Sequence, residues 1–209
     1  AIVLDPVFLL SAEAWRKMKT EFGNQDGRYT LAYFLSNPGC SMKAAEGYAQ
    51  KSGERLYSIG FSPRDVKNHA VNRYDLGPQE FLSAIDGADT VITNSFHATA
   101  FSIIFHKRFF TRISSGKDSR NDRMLSLLKQ LGLESRAFTD ENADTVDFSQ
   151  EIDYDAVEER LQRLILFSKS FLGDSIEELT GVEKKISRIT TNPCTACGAC
   201  ASACPVGCI

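Results

Sequence analysis

Short apolar and aromatic segments alternate along this chain with helix-length segments of about 10–15 residues, which predicts an α/β fold with a parallel sheet and flanking helices. The length of 209 residues suits one sizeable domain plus an appendage. A hydrophobic content of 43% and a charged content of 24% are those of a globular protein.

Ile2–Leu10 is apolar and reads as extended, a buried-strand pattern broken at Pro6. Ser11-Ala12-Glu13-Ala14-Trp15 has a capping-box-like start and opens a short helix. After a turn from Gly23 to Gly27, Tyr29–Leu35 has the aromatic and aliphatic content of a strand, ended by Ser36-Asn37-Pro38-Gly39. Met42–Ser52 is the next helix, Leu56–Phe61 the next strand, and Ser62–Pro78 a polar loop. Pro78–Asp86 is a short helix with Gly87 as its C-cap.

Thr90–Thr93 follows as a strand, Ser95–Phe105 as a helix and Arg108–Thr111 as a strand. Asp118–Leu131 is a helix stopped by Gly132, Ser135–Phe138 a short last strand, and Tyr154–Phe171 a long amphipathic helix. Ser175–Ile186 is a second helical stretch and Ser187–Pro193 a linker. The series specifies a Rossmann-like sheet over residues 1–172, a helix and linker over 173–192, and a cysteine-rich tail over 193–209.

Charge and hydropathy exclude two classes. A net charge of −3 without a basic stripe does not suit a nucleic-acid binder. No apolar run reaches the roughly 18 residues that a membrane helix needs. Of the six cysteines, Cys40 stands alone in the body and the rest lie between positions 194 and 208. A disulfide framework would scatter them; the clustering points to a reducing compartment, the cytoplasm. The start, Ala1-Ile2-Val3-Leu4-Asp5, lacks Met and the features of a signal peptide, so the chain is expected to be cut from a longer protein.

Open α/β sheets bind ligands outside the carboxyl ends of their strands, at helix N-termini. The most informative such junction is Thr90-Val91-Ile92-Thr93-Asn94-Ser95-Phe96-His97-Ala98. Asn94, Ser95 and His97 stand where a helix offers free N–H groups and a positive dipole end, a place for a phosphate. On the local pattern alone, His97 reads equally as a residue that finishes its helix and Ser95 as one that satisfies the turn.

The stretch Asp89–Phe110, with its Thr-Asn-Ser-Phe-His-Ala-Thr-Ala-Phe core, resembles the signature of the polysaccharide pyruvyl transferase family. Leu4-Asp5-Pro6-Val7-Phe8, Trp15 and Gly77-Pro78-Gln79-Glu80-Phe81 upstream, and Arg120-Asn121-Asp122-Arg123 and Leu131-Gly132-Leu133 downstream, extend the resemblance from about Ala1 to Leu172. It implies the C-terminal half of a GT-B-like transferase that moves the pyruvyl carbons of phosphoenolpyruvate onto two hydroxyls of a sugar and releases phosphate. The glycan acceptor would be held partly by an N-terminal half. Many members carry Arg-Leu-His where this chain has Ser95-Phe96-His97. The arginine's phosphate role therefore does not pass to Ser95, and Arg120, Arg123 or the N-terminal half is the candidate to supply it.

The resemblance makes His97 the catalytic candidate, since histidine exchanges protons near neutral pH. Asn94 and Ser95 would orient the anion with Arg120 and Arg123. His69 in the polar loop reads as solvated, and His106 with Lys107 and Arg108 as a cationic helix end. Cys40 has no identifiable partner base.

The tail carries Cys194-x-x-Cys197-x-x-Cys200-x-x-x-Cys204-Pro205, the opening cysteine run of a bacterial-type ferredoxin. The first three cysteines of such a run bind one [4Fe–4S] cluster and the fourth binds another. Zinc would more often use paired C-x-x-C elements or added histidines. With a single run present, the expected cluster site is incomplete, and a redox partner is implied. The competing reading is an iron–sulfur redox protein whose Rossmann-like domain binds a nucleotide or flavin, although no Gly-x-Gly-x-x-Gly follows any strand.

Overall fold

In a computed structural model, residues 2–22, 27–35, 40–59, 70–114 and 119–180 are described, at 119–120 and 179–180 by the backbone alone. The chain divides into the unit Ala1–Ser168 and a second from Lys169 onward. Apolar segments rich in β-branched and aromatic residues form strands β1 (Tyr29–Tyr33), β2 (Arg55–Ile59), β4 (Thr90–Thr93) and β5 (Arg108–Arg112), with β3 (Val71–Arg73) and β6 (Ala137–Phe138) shorter. Between and around them lie α1 (Ala12–Arg16), α2 (Cys40–Ser52), α3 (Pro78–Gly87), α4 (Phe96–Ile104), α5 (Ser119–Leu131) and α6 (Tyr154–Thr180).

All pairings are parallel, in the order β3-β2-β1-β4-β5-β6. The chain thus winds outward from β1 in one direction, then returns and winds outward from β4 in the other. Alternation along the strands divides the core. Tyr29, Leu31, Tyr57, Val91 and Phe109 face a layer containing α3, α4, α5 and the start of α6. Ala32, Leu56, Ile92, Phe110 and Phe138 face α2 and the segment carrying Ala143 and Phe148. Helices following β1 and β4 therefore lie on opposite faces, as right-handed crossovers require. β4 is buried along its whole length, consistent with its central position.

The first apolar block is not a strand. Asp5 Oδ1 accepts the Val7 N–H at 3.2 Å and Pro6 sits at the first helical position, so Pro6–Leu9 winds into a 3-10 turn with Phe8 buried. β3 lies inside the stretch expected to be polar loop. It pairs with β2 from Tyr57↔Val71 to Ile59↔Arg73 and is largely exposed, so it carries no apolar alternation to read. The two expected C-terminal helices are one, continuous through Gly173, where an added Cβ would meet nothing. Residues 181–186 lie outside the described residues.

Gly87 does not cap α3 by a left-handed turn; the helix closes with the Ala88 N–H on the Ile85 carbonyl. Gly132 does end α5 in the left-handed region, at φ +71°, and the Leu133 N–H returns to the Leu128 carbonyl at 2.8 Å. Among the described residues no helix is long and apolar enough to cross a membrane.

Candidate functional site

The winding reverses between β1 and β4, and the carboxyl ends of the strands at such a reversal are where open α/β sheets take ligands. One hydroxyl organises this junction. Thr93 Oγ1 donates to the Tyr33 carbonyl at 2.5 Å and accepts the Ser95 N–H at 3.0 Å. The Asn94 N–H also reaches the Tyr33 carbonyl, at 3.4 Å, while Asn94 Oδ1 accepts the Leu35 N–H at 2.8 Å. The ends of β1 and β4 are thereby locked together.

Ser95 is buried, and its Oγ accepts the Ala98 N–H as the N-cap of α4. Below it, Thr99 Oγ1 donates to the Ser95 carbonyl and shares a 2.7 Å hydrogen bond with Thr111 Oγ1 of β5. With the Ser95 and Ala98 amides satisfied, those of Phe96 and His97 are the first-turn N–H groups without an intrahelical acceptor. The His97 side chain is exposed beside them, edge to face with Phe96 at 5.7 Å. Among the described residues these two amides have no acceptor, and with the helix dipole and the exposed imidazole of the same turn they suit an anion.

Arg123 reaches the same junction from α5. Its guanidinium carbon lies 3.6 Å from the centroid of the Phe96 ring, and Nη2 donates to Asp5 Oδ2 at 3.0 Å. Asp5 therefore both starts the N-terminal 3-10 turn and holds Arg123 over Phe96. A shallow groove of about 290 Å³ runs along Phe96 and Arg123, bordered by Ile2, Asp5, Leu127 and Gln130. Arg120 lies in the first turn of α5, where the backbone alone is described. Cys194, Cys197, Cys200 and Cys204, and also His69, lie outside the described residues.

Sequence reasoning missed a charged group beside this junction. The register Thr93↔Thr111 places Arg112, the last residue of β5, next to Asn94. Arg112 Nη2 donates to Asp140 Oδ2 at 2.8 Å, and Asp140 Oδ1 accepts from Ser41 Oγ at 2.9 Å. An arginine at the carboxyl end of a predicted strand was the available signal. Tyr33, at the end of β1, has its phenol pKa pushed up by burial.

His106 has a structural place. With φ +54° it stacks on Tyr154 at 4.4 Å, its Nε2 is 3.4 Å from Glu158 Oε2, and the Tyr154 hydroxyl donates to the Lys107 carbonyl. Burial pushes the Tyr154 pKa far up and fixes the phenol as a neutral donor. Cys40 is exposed at the start of α2. Among the described residues no group of three or more His, Cys, Asp or Glu side chains is arranged to hold a metal ion.

A family model described as "Polysaccharide pyruvyl transferase" matches residues 1–115, from the segment carrying Asp5 through α4 to just beyond β5. No curated protein matches the chain. Among solved structures, the glycosyltransferase SnogD from Streptomyces nogalater is similar with a TM-score of 0.40 and 10% identity over 86% of this chain. The chain spans about half of that protein's length, 47%.

Proposed function

The chain belongs to the polysaccharide pyruvyl transferase family, and from that premise we propose that it moves the pyruvyl carbons of phosphoenolpyruvate onto two hydroxyls of a glycan, with the donor seated at the junction of β4 and α4. The observation that carries this reading is the exposed His97 beside the two free amides at the start of α4. The phosphate lies against those amides and the helix dipole, and Arg123, held over Phe96, faces the donor's second negative group. Asn94 and Ser95 act by holding the turn that presents the amides.

In the proposed reaction, the His97 imidazolium gives a proton to the methylene carbon of the enol. The adjoining carbon becomes oxocarbenium-like, the first sugar hydroxyl adds to it, and that hydroxyl's proton returns to His97. The second hydroxyl then displaces phosphate. A new carbon–oxygen bond replaces the one to phosphate, and the departing phosphate takes the second proton. Two hydroxyls and one phosphoenolpyruvate thus give one ketal and one phosphate.

The test is phosphate release and ketal formation by the full-length protein with phosphoenolpyruvate and a glycan acceptor. His97→Ala should lower kcat by about 10²–10⁴-fold with an unchanged thermal midpoint. Wild-type turnover in that variant removes His97 from the mechanism. For the tail we propose that Cys194, Cys197, Cys200 and Cys204 are ligands to [4Fe–4S] clusters, because four soft thiolates at this spacing suit iron–sulfur chemistry. When bound, such a cluster supplies electron transfer, and no step of the pyruvyl transfer uses it.

A further inference from the structure

A second cleft, of about 590 Å³, opens at the opposite, amino edge of the sheet. Its floor is polar and organised. The Glu54 carboxylate, 1% exposed, accepts from Thr30 Oγ1 at 2.6 Å and from Arg28 Nη2 at 3.0 Å. Arg108 Nη1 donates to the Tyr48 hydroxyl at 2.9 Å, and that hydroxyl lies 3.2 Å from Thr90 Oγ1. Arg108 Nε is buried with no hydrogen-bond partner among the described residues, an unmet donor in the floor.

The walls are of opposite sign. On α2, Lys43 and Lys51 stand two helical turns apart, about 12 Å. Across the cleft are Asp144 and Asp147. No ion pair joins the two walls among the described residues, so the gap keeps them apart rather than letting them neutralise each other. Midway between the lysines α2 carries Gly47, where an added Cβ would meet nothing within 4 Å. A glycine there weakens the helix without any steric need for it. What it provides is open space in the cleft wall.

We propose that this cleft binds an acidic saccharide, a sugar bearing a carboxylate or phosphate, at a site separate from the His97 junction. The anionic group pairs with Lys51, and sugar hydroxyls donate to Asp144 and Asp147. The ring passes over Gly47, above the floor formed by Tyr48 and Arg108. A neutral sugar leaves the cationic wall unanswered, and a bare anion leaves the acidic wall facing like charge. The volume falls within the ordinary range for small-molecule sites, about 300–1,000 Å³.

The experiment is an amide NMR titration of the 209-residue chain with sodium glucuronate and, separately, glucose 1-phosphate, beside glucose and inorganic phosphate as controls. The expected result is saturable shifts at Gly47, Lys51 and Asp144 with an acidic sugar, and at least about tenfold weaker binding of both controls. Which acidic sugar saturates distinguishes the carboxylate from the phosphate source. Lys51→Gln and Gly47→Gln, both at partly or fully exposed helix positions, should each weaken binding about tenfold with unchanged far-UV circular dichroism. His97→Ala should leave these shifts as they are. No saturation with either acidic sugar overturns the proposal, as does equal binding of inorganic phosphate or unchanged affinity in Gly47→Gln.

Discussion

Thr93 joins the two central strands and starts the turn that leads into α4, both through a single hydroxyl. Valine has the same shape and no hydroxyl, so Thr93→Val leaves the Ser95 amide without its partner in a buried place. A loss of about 1–3 kcal/mol in urea unfolding is expected, with Thr93→Ser retaining most of the stability. A second single-residue effect lies away from the site. Burial alone would raise the Asp86 pKa, but hydrogen bonds and charges from Arg16 and Lys19 outweigh it and hold the carboxyl below its usual range. A carboxylate whose folded pKa is depressed contributes stability above its unfolded pKa and loses it as pH falls through the folded value. Urea midpoints of the wild type should therefore drop between about pH 5 and pH 2 by more than those of Asp86→Asn. Parallel curves would show that the pair of α1 and α3 contacts adds nothing.

At the level of elements, two glycines, Gly47 within α2 and Gly132 just past α5, have opposite signs. Gly47→Ala fills open space in the interior of α2 and should stabilise by about 1 kcal/mol. Gly132→Ala meets both a left-handed backbone and the Arg160 guanidinium, which donates to the Leu131 carbonyl at 2.8 Å, and should destabilise by at least about 1 kcal/mol. Thermal melts of the two variants separate the effects. The same elements show what a sequence can carry. β4 was legible to the residue because Thr90-Val91-Ile92-Thr93 is an unbroken run of β-branched residues, and α4 nearly so because Ser95 marks its cap. The exposed β3 has no such pattern, and the turn at Pro6–Leu9 is apolar yet set by one carboxylate and one proline. The turn that carries His97 was legible for a local reason, since a strand, a turn and a helix stand consecutively around it. The Ser41–Asp140–Arg112 cluster was not, because its partners are 99 and 28 residues apart in sequence and only the sheet order brings them together.

For the whole molecule, the family match ends at residue 115 and the cysteine run begins at Cys194, so the two proposed chemistries fall on stretches that do not overlap. The proposed donor junction is assembled from β1, β4, α4, α5 and the first turn, all before residue 132, and none of the contacts that build it involves a cysteine. Thiolate ligands in a C-x-x-C-x-x-C run bind either an iron–sulfur cluster or zinc, and the two differ in a property that does not depend on fold: sulfide-bridged iron absorbs visible light, and zinc, with a filled d shell, does not. Anaerobic reconstitution of the full-length protein with iron and sulfide should give a brown protein with acid-labile sulfide. Cys197→Ser should lose both the colour and the iron, and His97→Ala should keep them. A colourless chain that retains zinc and loses it in Cys197→Ser would replace the cluster with a zinc site. If His97→Ala altered the iron content, the two chemistries would be coupled, and the independence of the donor junction from the tail would fail.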